Sequence, residues 1–378
     1  MANNRIYYAI QQVVLGQAGG SYGSTKKAVH GLQTVGVTTN FNLEQVFEMG
    51  QLAIYQNVEN VPDIEVTLNK VLDGYPLLYV LATETGSSVA PAATIASNPT
   101  IPGRQNARCD MELSIYPDTN VVASGDSLTG GKLVCSGMYV SSVSYTFPVD
   151  GNFTEDVTLV GNNKVWEIGG VATGQFGGNN DYPSSASGVG RRQFLKMTNC
   201  RFPTQIPGIS SSGTNDLIGN GSGYGAHFQN ITVSCDFGRE AIQELGTFAP
   251  YHRFVTFPVE VTSEFEVVSV SGDMIQATES GYYAGLTGTT VATPSTPQCS
   301  GRHNLLDQTI YLETCEGTRI YLGTKSKLTS VNYTGGDTGG GNVSVTYSYS
   351  TYNDFNVAHA SGLFYSDLAI GSGYGPAS

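Results

Sequence analysis

The sequence predicts a mainly β protein made of two similar β-sandwich or barrel domains, each with about one short helix. Three observations predict this fold class. Charged residues make up only 13% of the 378 residues, while glycine occurs 47 times, a composition typical of short strands joined by many turns. Several segments alternate polar and apolar residues, as strands with one buried face do. The third observation is an internal repeat.

The repeat aligns residues 30–62 with residues 226–258 without a gap. Nine positions are identical, and many of the remaining positions exchange one apolar residue for another. The match continues after one residue is dropped, with Ile64 to Thr67 against Val259 to Thr262. The nine identical pairs are Gln33/Gln229, Val37/Val233, Phe41/Phe237, Glu44/Glu240, Glu48/Glu244, Gly50/Gly246, Ala53/Ala249, Tyr55/Tyr251 and Pro62/Pro258. The length of the run favours an internal duplication over chance similarity.

The duplication divides the chain into two predicted domains, residues 1–170 and 191–378. A Gly-, Ser- and Asn-rich linker covers residues 171–190, a composition typical of flexible connections. Each half is expected to begin with a strand, Arg5 to Val14 or Gln193 to Phe202. Each half is also expected to end in a β-hairpin, because alternating segments flank Asp150-Gly151 and a second Gly-rich turn.

Further strands are predicted at Leu32 to Thr39, Phe228 to Ser234 and Ile64 to Leu68. Residues 43–60 show a local helical pattern that Gly50 could end, although a long excursion between two strands is the alternative. A short helix is predicted after Asp73, which could cap it, with Pro76 in its first turn. A weaker counterpart lies at residues 272–277.

Exposed loops are expected at residues 84–106 and 284–304, which are rich in small and polar residues.

The net charge of −13 argues against a protein that grips DNA, because phosphate binding depends on Lys and Arg. An acidic surface remains compatible with a channel through which DNA slides.

The six cysteines follow no zinc-binding spacing, and no secretion signal or membrane span is recognised. We therefore expect reduced cysteines that are buried as small apolar residues.

No catalytic, cofactor-binding or metal-binding pattern is found in the sequence. The five histidines are scattered, and the Gly-rich segment 219–225 lacks the Lys-Ser/Thr pair of a phosphate-binding loop. Neighbouring strand residues face opposite sides, so Glu155 and Asp156 are not expected to act together. Glu264 and Glu266 could share a face, and solvated strand positions explain these carboxylates most simply. The sequence predicts a protein that is not an enzyme.

Two stretches resemble phage tail tube proteins. The first runs from Val35 through Thr83 and includes Thr38 to Glu48 and Pro62 to Leu68. The second runs from Ser144 to Leu159. The resemblance is clearest over residues 30–166, and the second half resembles the family mainly through the repeat.

The resemblance implies rings of six tube folds that stack into a hollow tube, with inner sheets joined across subunits. The tube would conduct DNA from capsid to host without binding it specifically. Most members of the family have one tube fold per chain, whereas this chain is expected to have two. Three chains would then form a trimeric ring with pseudo-sixfold symmetry.

The resemblance also implies a virion protein, assembled in the host cytoplasm, whose first partner is itself. Other expected partners are a terminator, a baseplate hub, a tape measure protein and, in a contractile tail, a sheath. The two loops that repeat between strands are candidates for contacts between rings. The residues singled out there are Glu44, Glu48, Gly50, Tyr55, Glu240, Glu244, Gly246 and Tyr251.

Three other interpretations remain open at this point. A tail terminator, baseplate ring or head decoration protein on a related fold would share the same composition. A carbohydrate-binding tail module could use its Gly- and Tyr-rich loops, with Tyr282, Tyr283 and Tyr347, to stack on sugars. A β-fold hydrolase would need a site assembled from distant residues.

Overall fold

The computed structural model is mainly β, which confirms the predicted fold class. It describes residues 8, 11–19, 26–83, 106–115, 131–168, 188–210, 212–215, 225–247, 249–268, 306–335 and 342–359. Within these residues, 19 strands and one short α-helix, α1 (Leu78–Ala82), are found. The strands are β1 (Gln11–Gln17), β2 (Lys26–Ala28), β3 (Leu32–Asn40), β4 (Leu43–Phe47), β5 (Ile54–Glu59), β6 (Asp63–Val71), β7 (Cys109–Ile115), β8 (Gly131–Pro148), β9 (Thr154–Gly161), β10 (Asn163–Ile168), β11 (His227–Asp236), β12 (Arg239–Ile242), β13 (His252–Val255), β14 (Glu260–Val268), β15 (Tyr311–Glu313), β16 (Thr318–Tyr321), β17 (Lys327–Thr334), β18 (Ser344–Tyr352) and β19 (Asn356–His359).

Eight of these strands form one antiparallel sheet, which we call the main sheet. Its order is β17–β18–β14–β11–β8–β9–β6–β3. The long strand β8 belongs to two sheets, because its first part pairs with β7 and β10 while its last part pairs with β9 and β11. β1 and β2 extend the β7 side of the second sheet.

The main sheet contains two groups of four strands with the same order and the same irregularities. The first group is β3–β6–β9–β8, and the second is β11–β14–β18–β17. A bulge interrupts the first pair at Gln33 in one group and at Gln229 in the other. A second bulge falls at Ser141 in β8 and at Thr329 in β17. Because bulges fix the register of a strand pair, these positions define which residues of the two groups are equivalent.

The sheet register corrects one part of the sequence alignment. Ile64 lies opposite Thr39, and the residue opposite Cys235, the equivalent of Thr39, is Val261. The structural equivalent of Ile64 is therefore Val261, two residues beyond the aligned Val259. Since the shift is even, the buried face of β6 still corresponds to the buried face of β14.

The main hydrophobic core of the described residues contains side chains from both halves of the chain. It includes Val66 and Leu68 from β6 and Phe265 from β14. α1 is buried in this core and contacts β1, β8, β9 and β19. Glu155 fixes the start of α1, because its carboxylate accepts hydrogen bonds from the backbone N–H groups of Leu78 (2.6 Å) and Tyr79 (3.0 Å). A carboxylate at this position also suits the helix dipole.

The helix predicted over residues 43–60 is wrong, and the alternative of an excursion between strands is correct. β4 and β5 form a hairpin, with Gly50 in its turn at a φ of +93°. The excursion is repeated as the β12–β13 hairpin, where Gly246 has a φ of +90°. Glycine favours this turn because it adopts positive φ without a steric cost.

Other boundaries also differ from prediction. In place of a strand at Gln193 to Phe202, a 3₁₀ turn at Arg192–Phe194 is followed by single bridges from Leu195 and Arg201. Asp73 does not cap α1, whose N-cap position is Leu77, and the Asp73 carboxylate instead pairs with Lys70 Nζ at 2.5 Å. The strand predicted at Arg5 to Val14 is observed from Gln11 onward and runs on to Gln17, while most of residues 5–10 lie outside the described part of the chain.

The strands predicted at 32–39, 64–68 and 228–234 are confirmed, as are both hairpin patterns. Five predicted features lie wholly or mostly outside the described residues: the loops 84–106 and 284–304, the linker 171–190, the helix at 272–277 and the Gly-rich segment 219–225.

Candidate assembly surface

The main sheet has two unpaired outer strands among the described residues. β3 pairs only with β6, and β17 pairs only with β18. β3 has nine residues, none of them charged or proline, and β17 has a single charged residue, Lys327. Proteins usually protect free strand edges with charges, prolines or covering segments, because an open edge pairs with other chains. Among the described residues, β3 has no charge or proline and β17 has only Lys327, which makes both edges candidates for pairing with a partner.

The two free edges are the equivalents of two strands that are joined inside the chain. At the centre of the main sheet, β11 pairs with β8, with Val233 opposite Tyr145 and Ser234 opposite Ser144. β3 is the equivalent of β11, and β17 is the equivalent of β8. The chain therefore contains one complete junction, in which β8 of the first group pairs with β11 of the second group. The free strands β3 and β17 correspond to the two partners of this junction, but they are not paired with each other within the chain.

The β4–β5 hairpin exposes an apolar surface. Every residue of both strands is exposed. Met49 and Leu52 near the turn are fully exposed. A two-stranded hairpin is marginally stable by itself, and an exposed apolar patch of this kind marks a binding surface. The other large apolar residues exposed there are Phe41, Leu43, Val46, Phe47, Ile54, Tyr55 and Val58.

The base of the β12–β13 hairpin, by contrast, is anchored to the first half of the chain. Arg239 Nε donates a 2.8 Å hydrogen bond to the Val140 carbonyl, and its guanidinium lies 5.2 Å from the ring centroid of Tyr139. Burial lowers the pKa of Arg239 to about 10. Arg253 Nη2 lies 2.5 Å from Asp63 Oδ1. The base of this hairpin is therefore fixed by the neighbouring group of strands.

The tip of the β12–β13 hairpin remains uncovered. Leu245 is fully exposed and Tyr251 is mostly exposed. A neighbouring group of strands thus covers the base of such a hairpin and leaves its tip free for another partner.

The structure places the predicted contact residues in these two hairpins, where all eight are exposed. Gly50 and Gly246 occupy the two turns. The sequence repeat singled out these two segments, although not as hairpins, and it did not reveal the free strand edges, because an edge depends on the order of strands in the sheet. The first-hairpin residues are Glu44, Glu48, Gly50 and Tyr55, and the second-hairpin residues are Glu240, Glu244, Gly246 and Tyr251.

The face of the main sheet that points away from the core is polar and acidic. Its outward positions hold mainly Ser, Thr and Asn. Lys327, at the start of β17, is the basic residue on this face of the eight strands, and its Nζ lies 2.6 Å from Asp307 Oδ1. A surface of this kind does not replace the counterions of DNA. The outward carboxylates belong to Asp63, Glu65, Asp156, Asp236, Glu260, Glu264 and Glu266.

Glu155 departs from the expected solvated position, because it is fully buried while its neighbour Asp156 faces outward. Burial raises the pKa of Glu155, although hydrogen bonds from α1 and from the Tyr145 hydroxyl favour the charged form. These contacts give Glu155 a structural role. The two carboxylates point to opposite faces, as the strand periodicity predicts.

Free cysteines in the described residues are mostly buried, as expected. Burial raises the pKa of Cys135 to about 11 and that of Cys200 to about 12. Cys315 differs from the expectation because it is exposed.

The described residues contain no cluster of three or more His, Cys, Asp or Glu side chains suited to a metal ion. No helix within them is both long and apolar enough to span a membrane.

Comparison with known proteins finds distant structural neighbours. No family model and no curated protein matches the sequence. A chain of the PVC sheath–tube complex, an extracellular contractile injection system in its extended state, is 13% identical with a TM-score of 0.26, over 44% of this chain and 93% of that chain. The tube-terminating cap of the anti-feeding prophage is 12% identical with a TM-score of 0.27, over 44% and 93% of the two chains.

A chain of the PVC sheath/tube terminator is 13% identical with a TM-score of 0.27, over 44% of this chain and 99% of that chain. The three neighbours are described as parts of a sheath–tube complex, a tube-terminating cap and a sheath/tube terminator. Identities and TM-scores this low do not establish a shared function.

Proposed function

We propose that this protein is the structural subunit of a phage tail tube and that three copies form each ring. In this ring, β3 of one chain pairs with β17 of the next, so that the main sheets close into a continuous barrel. The observation that carries the proposal is the β8–β11 junction, which joins the equivalents of these two edges within one chain. Closure removes both open edges.

The internal junction also fixes the expected register between chains. The equivalents of Val233 and Tyr145 are Val37 and Tyr333, so Val37 is expected to lie opposite Tyr333 of the next chain. Thr38 is expected opposite Asn332 in the same way. A head-to-tail contact of this kind forms a closed ring when the rotation between subunits closes. Two groups per chain and three chains give six groups around the ring.

The duplication of residues 1–170 and 191–378 is part of this proposal. Matching strand orders and matching bulges support it. The outward face of the main sheet would then line the lumen. Its carboxylates would let DNA pass without specific binding, since they leave the counterions of DNA in place.

Stacking of rings is assigned to the hairpin tips. The first half of the same chain holds the base of β12–β13 and leaves its tip exposed, which supports a division between lateral contacts at the base and stacking contacts at the tip. We assign Glu48, Gly50, Tyr55 and their equivalents Glu244, Gly246 and Tyr251, which lie near the tips, to contacts between rings. Glu44 and Glu240 lie nearer the bases of the two hairpins with exposed side chains, and we propose them as contacts between rings as well. This stacking surface favours a tube subunit over a terminator or baseplate ring that forms a single layer.

The proposal places the protein in the virion, assembled in the host cytoplasm from its own copies. Terminator, baseplate hub and tape measure proteins would contact the tube, with a sheath around it if the tail contracts. No catalytic role is proposed.

Negative-stain electron microscopy of the purified protein tests this proposal, with native mass spectrometry of disassembled rings. Hollow tubes whose rings contain three chains are the expected result. Rings of six chains would contradict the duplicated tube fold while keeping the tube function. Closed rings that never stack would favour the terminator or baseplate alternative, and dispersed monomers at every concentration would contradict ring formation.

A further inference from the structure

The last strand of each half lies in the same place in the fold but in a different environment. β10 pairs with the first part of β8. In the second half, β16 is the equivalent of this part of β8, and β19 pairs with it as the equivalent of β10. Trp166 in β10 lies opposite Leu133, and Val357 in β19 lies opposite Ile320. Leu133 and Ile320 both belong to the core. Trp166 and Val357 therefore both point to the core side of their strands.

This shared face is covered in β19. Val357 and His359 are both fully buried, and a His359 ring nitrogen lies 3.1 Å from the Asp73 carbonyl oxygen. Phe355, just before β19, packs edge-on against Tyr79 of α1, with ring centroids 5.5 Å apart. Asp73 and α1 belong to the first half of the chain. The cover over β19 therefore comes from the neighbouring half.

The corresponding face of β10 is open. Trp166 is 58% exposed on this face, and Val165, on the opposite face of the strand, is exposed as well. Lys164 Nζ bonds to Thr39 Oγ1, which places β10 next to β3 and its free edge. The exposed tryptophan and the free edge of β3 thus belong to one side of the molecule. This side is equivalent to the side of the second half that the first half covers.

We propose that Trp166 and the inward face of β10 are a second lateral contact, covered by the second half of the next copy in the ring. The proposal rests on the tube function and adds a contact outside the main sheet. The internal contact of β19 with the first half supplies its template. An exposed tryptophan gains much apolar contact when it is covered, so this contact stabilises the ring beyond strand pairing alone.

The chain has a single tryptophan, so its fluorescence reports on this contact directly. Dilute, unassembled protein and assembled tubes would be compared by emission maximum and by quenching with acrylamide, an uncharged quencher that the acidic protein does not repel. Assembly is expected to shift the emission to shorter wavelength and to lower the quenching constant severalfold. Tubes in which Trp166 stays as accessible as in free subunits would overturn this inference and leave the tube function intact.

Variants provide a second measurement. Trp166→Lys is expected to raise the protein concentration needed for assembly at least severalfold, while Trp166→Phe stays close to the wild type. Thr198→Lys adds the same charge on an exposed turn far from β10 in sequence and is the control. Circular dichroism of each subunit checks its folding. Assembly of folded Trp166→Lys at the wild-type concentration would contradict the contact, and a wild-type protein that forms no rings would overturn both proposals.

Discussion

Arg253 in β13 reaches from the second half of the chain to Asp63 in the first half. Its Nη2 lies 2.5 Å from Asp63 Oδ1 and 3.1 Å from Asn162 Oδ1. Burial tends to raise the pKa of Asp63, but hydrogen bonds from Asn42 and Arg253 outweigh it and hold the pKa below its usual value. The residue equivalent to Arg253 in the first hairpin is Asn57, which is exposed. The two hairpins thus have the same strand register. The second is held by an ion pair from Arg253 to the first half of the chain, whereas the equivalent residue of the first hairpin is exposed.

This difference predicts unequal motion in the unassembled subunit. Arg253→Ala should speed amide hydrogen exchange in β12–β13, because the hairpin loses its bonds to Asp63 and Asn162 while the main sheet is unaffected. Asn57→Ala is the matched control and should leave exchange in β4–β5 nearly unchanged. Hydrogen exchange followed by mass spectrometry measures both. Equal effects of the two changes would contradict the anchoring role of Arg253.

The register between chains predicts which engineered disulfides form. Thr38→Cys combined with Asn332→Cys should cross-link neighbouring chains under mild oxidation, because directly opposed strand residues lie within disulfide distance. Thr34→Cys combined with Ser330→Cys uses the same two edges but places the thiols about 20 Å apart in the proposed register. Non-reducing gels of assembled tubes report the products.

Single-cysteine variants control for the native thiols, especially the exposed Cys315. Efficient cross-linking of the Thr34/Ser330 pair without the Thr38/Asn332 pair would show that the edges join in another register. Assembled tubes in which neither pair cross-links would show that the two edges do not join.

The sequence predicted several strands in which one face is buried, because burial imposes an alternation that is visible locally. β6 is an example, with exposed and buried residues in strict turn over Asp63 to Leu68. The β4–β5 hairpin has no buried face in the single chain, so nothing imposes alternation and its sequence was open to a helical interpretation. Glu155 and the N–H of Leu78 are 77 positions apart, a separation that hides the helix cap from local pattern analysis.

The buried carboxylate of Glu155 predicts a specific stability defect. Glu155→Ala leaves the N–H groups of Leu78 and Tyr79 and the Tyr145 hydroxyl without this acceptor. Unpaired buried donors should lower the free energy of unfolding by about 3 kcal/mol. Asp156→Ala, on the outward face of the same strand, should cost less than about 1 kcal/mol. Urea unfolding of the two variants measures the difference, and equal losses would argue against Glu155 as the anchor of α1.

The hairpin tips predict a separation of ring formation from stacking. Met49→Ser together with Leu52→Ser removes fully exposed apolar side chains that make no contribution to the subunit core, so the folded subunit and the β3–β17 junction should be unaffected. Rings are expected to form and tubes to be short or absent, because burial of the two side chains would supply about 1.5–3 kcal/mol each to the contact between rings.

An equivalent substitution in the second hairpin extends this test. Leu245→Ser, at the equivalent turn, should weaken stacking in the same way, because its side chain stays exposed beside a lateral neighbour. Thr198→Ser, on an exposed turn outside both hairpins, is the control. Electron microscopy gives tube length, and sedimentation separates rings from subunits. If the Met49/Leu52 variant failed to form rings while its subunit remained folded, the tips would belong to the lateral contact. Full-length tubes from both variants would exclude the tips from stacking and leave the axial contact to other surfaces.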